Sequence, residues 1–257
     1  MNLLETVNLK KYFGETHAVD DVNLKVDEGE FVSLVGPNGA GKTTLVNVVS
    51  ALLRQDSGKV LFKGNDITHA SVTERVKAGI ARSFQIVNLF DDLTAFDNVT
   101  LAIFSRQGKT RNLARLAHLD HEVSAEAETV LGQFNLSDKR NERARNLAQG
   151  ERKLLDVVLA YALRPKLLFL DEPTSGVSTR DKGQLMDTIA SVVRAEGITA
   201  VIIEHDMDVV FKYSDRIVVM QQGAILAQGT PDAIRNNKQV AMILLGSSEP
   251  DAFTRKD

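Results

Sequence analysis

The chain has 257 residues, 43% of them hydrophobic and 25% charged, with a net charge of -3 at neutral pH. That balance suits a globular protein able to bury a sizeable core, and the slight negative charge argues against a nucleic-acid binder held by bulk electrostatics. With no cysteine there is neither a disulfide nor a thiolate metal site, in keeping with a reducing cytoplasm. The N-terminus, MNLLETVNLKKYFG, lacks the apolar core of a secretory signal. VVLAYAL at 157–163 falls well short of the ~18 apolar residues of a spanning helix, so work at a membrane would go through a partner already in it.

Strand patterns come first along the chain: LLETVNL at 3–9, an alternating run near 18–26, and the apolar FVSLVG at 31–36. From Thr43, TTLVNVVSALL places Leu45, Val46, Val49, Leu52 and Leu53 on one helical face, and SerGly at 57–58 leads into the strand KVLFKG. From about 88 to 149 the texture turns charged, alanine-rich and helical, with RQGKTRN at 106–112 reading as a loop and AEAETVLGQF at 125–134 as an amphipathic helix. Alternation then returns. A helix over 151–163, the strand LLFL at 167–170, a helix from about 179 to 195 closed by Gly197, the strand TAVII at 199–203 and the paired strands RIVVM and AILAQ complete the pattern. The tail EPDAFTRKD is polar and reads as loose.

GPNGAGKT at 36–43 fits the phosphate-loop pattern and sits where such a loop must, between a buried strand and a helix. Its glycines let backbone N–H groups turn inward around phosphates, and the helix N-terminus adds partial positive charge. Asn38, Gly39, Ala40, Gly41, Lys42, Thr43 and Thr44 are the expected nucleotide contacts, with Lys42 reaching the β- and γ-phosphates and the Thr43 hydroxyl ligating Mg²⁺. LLFLDEP at 167–173 puts Asp171 at a strand end, where it can orient the magnesium shell, and Glu172 one residue on, where it can polarise an attacking water. His205 follows the apolar run TAVII at another strand end and suits contact with the γ-phosphate or the water. Gln85, in SFQIVNLF, can bind magnesium or water through its amide oxygen. In KYFG, either Phe13 or Tyr12 can stack on adenine, and either can equally serve the core. His118 and His121 have a ligand-like spacing but no third ligand, so a solvated face is the better reading.

These motifs in this order resemble the nucleotide-binding subunit of ATP-binding cassette (ABC) transporters. Phe13, GPNGAGKT, Gln85, LAQGE at 147–151, LLFLDE and His205 stand where that family has its aromatic, phosphate loop, glutamine loop, LSGGQ signature, Asp-Glu strand and switch histidine. The likeness extends to the ATPases of branched-chain (hydrophobic) amino acid uptake through RSFQIVNLF, LRPKLLFLDEPTSGV, EHDMDVVFKYSDRI and GTPDAIRNNKQVAMILLG. It implies an α/β phosphate-loop NTPase core over 1–87 and 150–230 with an N-terminal antiparallel β subdomain, an inserted helical subdomain over 88–149, and a C-terminal extension over 231–257. It further implies ATP and Mg²⁺ as cofactors and a peripheral place on the cytoplasmic face of the cell membrane. The implied partners are a second ATPase subunit, the same or related, two permeases and, indirectly, a periplasmic solute-binding protein, with no nucleic acid.

In the family the signature faces the phosphates held by the partner's loop. The resemblance therefore makes Leu147, Ala148, Gln149, Gly150 and Glu151 contacts to another subunit's ATP, and Gly150 the residue whose missing side chain lets backbone N–H groups approach a γ-phosphate. Two departures stand out. Ala148 replaces the signature serine, removing a hydroxyl donor worth ~1.5–3 kcal/mol in a charge-assisted bond. SGVST has Ser178 where an aspartate is usual; S-x-x-D at 178–181 still fits a capping box. A non-transport mechanical ATPase is the competing class, disfavoured by the single cassette and the lack of long basic insertions; a non-hydrolysing nucleotide sensor is disfavoured by Glu172 and His205.

Overall fold

The computed structural model describes residues 1–83, 89–108 and 120–245. They form two compact units, Met1–Arg75 together with the chain from Thr199 onward, and Val76–Ile198.

The first unit opens with β1 (Asn2–Phe13), β2 (Thr16–Val22) and β3 (Lys25–Asp27). β1 pairs antiparallel with both of the others, so the alternating run near 18–26 is two strands. β4 (Phe31–Val35) is buried at every position, as expected of a parallel strand covered on both faces. After it comes α1 (Lys42–Val49), which is shorter than its apolar periodicity suggested. Leu45, Val46 and Val49 are buried as expected, whereas Leu52 is 46% exposed. The helix stops because its last carbonyls find other partners. The Ser50 hydroxyl donates back to Val46 O at 2.7 Å, and the buried Arg75 guanidinium donates to Val48 O (2.7 Å) and Val49 O (2.6 Å). Arg75 also reaches Ile67 O and Thr68 O, so an otherwise solvent-excluded cation is held by four carbonyls. Burial lowers its pKa from the ordinary arginine value. β5 (Ser57–Phe62) returns antiparallel to β1, and β6 (Asn65–Asp66) pairs with β5. Arg75 itself lies on α2 (Val72–Ala78).

In the second unit, β7 (Ile80–Arg82) runs parallel to β8 (Leu167–Asp171), with Arg82 opposite Phe169. Between them lie α3 (Ala95–Arg106), α4 (His121–Gln133) and α5 (Gln149–Ala162). α4 begins four residues before the amphipathic segment read from sequence. Arg106 of the expected 106–112 loop instead ends α3, and residues 109–112 and His118 lie outside those described. His121 is exposed at the first turn of α4. Thr94 and Asp97 cap α3 reciprocally. The helices are tied by Glu126, which takes two bonds from Arg106 (2.9 and 2.6 Å) and one from Arg164 (2.9 Å), while Arg106 also donates to Ala162 O. α6 (Thr179–Ala195) is capped by Ser178, whose Oγ accepts from Asp181 N and donates to the Asp181 carboxylate at 2.7 Å.

The chain then rejoins the first unit through β9 (Thr199–Ile203), α7 (Met207–Tyr213), β10 (Arg216–Gln221) and β11 (Ala224–Gly229). There β10, β4 and β9 are parallel neighbours, and β11 is the antiparallel edge. α8 (Pro231–Arg235) and α9 (Lys238–Leu245) complete the described residues. Ile234, Val240 and Ala241 join Val35, Ile217 and Val219 in one buried cluster, so this extension packs against the end of the strand from which the glycine-rich loop departs.

The Arg106 hydrogen bond, reinforced by Arg164, holds the Glu126 carboxyl below its ordinary range against the opposing effect of burial. A lowered folded value means stability that is complete above the unfolded pKa, about 4.3, and lost as pH falls through the folded one. Glu126→Gln should cost about 2 kcal/mol at pH 7 and flatten the loss of stability below pH ~4.3, as read from urea unfolding at a series of pH values. An unchanged slope there would remove Glu126 from this role.

Candidate functional site

β4 delivers the chain into the loop 36–41 at the end of a fully buried strand, so the loop starts from a fixed point. Two of its glycines are obligatory. Gly36 has φ +150° and Gly41 has φ +99°; a Cβ on Gly36 would collide with the Met220 carbonyl, and one on Gly41 with the Ala18 carbonyl. Gly41 is the N-cap of α1 and supplies no side-chain acceptor, and the first turn carries no acidic residue. The first N–H groups of the helix therefore face outward with the positive end of its dipole, which is the arrangement that binds phosphate. The buried Lys42 ammonium donates to Gly36 O (2.6 Å) and Pro37 O (3.0 Å) inside the loop. Asn38, Gly39 and Thr43 are exposed, Thr44 is half-buried and Ala40 is buried.

The two aromatics of KYFG separate. Tyr12 stacks on His17 at 4.0 Å and donates its hydroxyl to Asp20 at 2.6 Å, which pushes the phenol pKa up to about 12. Phe13 ends β1 with 49% of its surface exposed and the Lys11 ammonium 5.4 Å from its ring centre. Of the pair, Phe13 offers the open ring. His205 is exposed just beyond β9, and its N–H donates to the carboxylate of buried Glu204 at 3.1 Å.

These residues belong to the first unit; the paired carboxylates and the segment 147–151 belong to the second. Asp171 ends β8 almost fully buried. Its Oδ2 accepts from the Arg82 guanidinium at 2.5 Å, and its Oδ1 is buried with no hydrogen-bond partner. A buried carboxylate oxygen without a donor fits a magnesium ion or its water shell. Among the described residues no three His, Cys, Asp or Glu side chains cluster as a metal cage. Mg²⁺ takes one or two protein oxygens and completes its shell with phosphates and water. Glu172 follows in the left-handed region at φ +47°, half-buried, a conformation that costs a non-glycine residue about 1–3 kcal/mol and turns the side chain off the strand line. Lys153 Nζ donates to its carbonyl at 3.3 Å. Gln85 lies outside the described residues.

Leu147 is buried, while Ala148 and Gln149 are exposed at the start of α5. Ala148 occupies the N-cap, and its N–H donates to Glu151 Oε2 at 2.8 Å. This is half of a capping box: the alanine methyl cannot return the bond, which leaves the first-turn N–H groups without a side-chain acceptor. Lys139 pairs with Glu151 at 3.2 Å, and that hydrogen bond raises the lysine pKa. Gly150 sits in ordinary helical backbone, and a Cβ there would meet only Val177 Cγ1 at 3.7 Å, a normal contact. Unlike Gly36 and Gly41, it is not demanded by anything described in its own chain.

Arg82 was not anticipated. A lone cation closing the run GIAR gives no periodic signal, and only the strand register, which pairs it opposite Phe169, brings it to Asp171.

The family model for the ABC transporter domain matches residues 19–175. The high-affinity branched-chain amino acid transport ATP-binding protein BraF of Pseudomonas aeruginosa is 36% identical over 252 residues, spanning 96% of this chain and 98% of that protein. Among solved structures, the ABC-transporter cassette MJ1267 superposes with a TM-score of 0.84 at 32% identity, covering 96% of this chain and 100% of that one. The cassette MJ0796, solved as a dimer in a post-hydrolysis state bound to ADP and phosphate, does so with a TM-score of 0.75 at 26% identity over 89% and 98%. The chain belongs to the ABC transporter family. Its fold is that of the family's nucleotide-binding cassette.

Because Gly150 is not required by the fold, Gly150→Ala should leave the isolated chain as stable or up to about 1 kcal/mol more stable, from helix propensity alone. The check is the urea midpoint. A lowered midpoint would mean that the glycine serves its own chain.

Proposed function

We propose that the chain is the ATP-hydrolysing subunit of an ABC importer for branched-chain or related amino acids. The observation that carries the reading is the buried, unclaimed Oδ1 of Asp171 with Glu172 beside it, in a chain that also presents an uncapped helix N-terminus behind a phosphate loop. The substrate class rests on likeness to the branched-chain relative.

Residues 38–44 wrap the phosphates, with the Lys42 ammonium turning from the Gly36 and Pro37 carbonyls toward the β- and γ-phosphates. Phe13 stacks on the adenine. The Thr43 hydroxyl, Asp171 and Gln85 would hold Mg²⁺, which when bound neutralises charge on the β- and γ-phosphate oxygens. Glu172 accepts a proton from water as the water oxygen attacks the γ-phosphorus in line; the bond to the β-γ bridging oxygen breaks, leaving ADP and inorganic phosphate. His205 contacts the γ-phosphate or the attacking water, helping to orient the reacting groups.

The segment Leu147–Glu151 faces the nucleotide of a second subunit, the same or related. The dimeric state of MJ0796 supports that arrangement, as does a glycine that this chain's own packing does not require. Ala148 weakens the engagement by one hydroxyl donor while leaving the backbone N–H groups in place. Closing and opening of the pair would be passed to two membrane permeases through the helical lobe 88–149, on the cytoplasmic face of the membrane, with a periplasmic solute-binding protein acting on the far side. Among the described residues no helix is long and apolar enough to cross a membrane.

Glu172→Gln should bind MgATP, lose turnover and accumulate as a dimer, with light scattering showing twice the monomer mass with MgATP and the monomer mass without it. Turnover equal to that of the parent would remove Glu172 from the role of base. A monomer with ATP bound would mean that this chain closes only on a different subunit.

A further inference from the structure

Arg82 has no part in the reaction as described, yet among the described residues it is the hydrogen-bond partner of the buried Asp171 carboxylate. The strand ladder sets its position. β7 pairs with β8 in parallel register, Ser83 N continues the ladder to Phe169 O at 2.9 Å, and the Arg82 side chain lies along the pair to the carboxylate two residues further on. Both side chains are nearly excluded from solvent, at 8% and 2% exposure. Arginine commonly grips a carboxylate with two parallel bonds that use both oxygens. Here a single contact is made to Oδ2, and Oδ1 is buried with no hydrogen-bond partner. The carboxylate is therefore held at one oxygen and presents the other.

We propose that Arg82 is a positioning residue for the magnesium site, holding Asp171 by Oδ2 so that Oδ1 alone is offered to the Mg²⁺–nucleotide complex. The inference rests on the reading of Asp171 as the magnesium-orienting carboxylate. Groups that orient a metal-binding side chain from behind typically change metal affinity by 10–100-fold when removed. A residue that serves only the strand pair would instead change stability and nucleotide binding together.

The test uses full-length protein in the Glu172→Gln background, so that ATP is not consumed. ATP binding is measured in EDTA and then across a magnesium titration, with the EPR signal of Mn²⁺–ATP as a second readout of the metal's surroundings. Arg82→Gln should leave binding in EDTA unchanged, raise the magnesium concentration for half-saturation roughly tenfold and alter the bound Mn²⁺ spectrum. Adding Arg82→Gln to Asp171→Asn should produce no further rise. If Asp171→Asn raises the half-saturation and Arg82→Gln does not, the inference is overturned and the magnesium role of Asp171 stands. If Asp171→Asn also has no effect, the reading of Asp171 itself fails. Equal loss of binding with and without metal in Arg82→Gln would make the arginine merely structural and overturn the proposal. Should that variant not fold, Arg82→Lys, which keeps the charge but not the planar fork, is expected to raise the half-saturation a few-fold, and no rise overturns it.

Discussion

A polyanion can be held tightly only by donors that are in place before it arrives, because neither water nor flexible side chains supply enough fixed positive potential at one point. In this chain that requirement is met at the junction of β4 and α1. The strand is buried throughout, so its end does not move, and Gly36 and Gly41 pass beneath the Met220 and Ala18 carbonyls where any side chain would collide. The helix begins without a side-chain cap or an acidic residue, leaving its dipole uncompensated. At the opposite end of the same helix, Arg75 satisfies the Val48 and Val49 carbonyls. Both ends of a short helix are thus specified, one by what it binds in the chain and the other by what it withholds.

The second unit presents two contrasting uses of incomplete bonding. Asp171 is held by one oxygen and open at the other. The N-terminus of α5 keeps the Glu151 half of its capping box and lacks the other half because Ala148 has no acceptor. An N-terminus stripped of its side-chain cap is less stable as a helix start and better suited to an external acceptor. A glycine that packing does not require, in the first turn of that helix, costs roughly 1 kcal/mol relative to alanine. Such a cost is hard to explain by folding and natural at a surface that must approach a phosphate closely.

Much of this was legible in the sequence, for identifiable reasons. Strands buried on both faces read as continuous apolar runs, so FVSLV, LLFL and TAVII gave β4, β8 and β9 within a residue or two. The phosphate loop was legible because its residue types are dictated by backbone geometry. The length of α1 was not, since Leu52 and Leu53 continue the helical period while the capping by Ser50 and Arg75 ends the helix at Val49. Neither Arg75 nor Arg82 could be picked out, because a single cation in a strand or helix pattern ordinarily means solvent. The choice between Tyr12 and Phe13 required the neighbours His17 and Asp20, which occupy the tyrosine.

As proposed, the segment around Gly150 serves a phosphate loop in another subunit. The chain has no cysteine, so paired substitutions report without background. Asn38→Cys and Ala148→Cys, both at exposed positions, are placed together in one chain that also carries Glu172→Gln, and disulfide formation is followed under mild oxidation. Disulfide-linked dimers are expected with MgATP and not with nucleotide withheld. Thiols consumed within a single monomer, or left reduced in a dimer that has ATP bound, would contradict it.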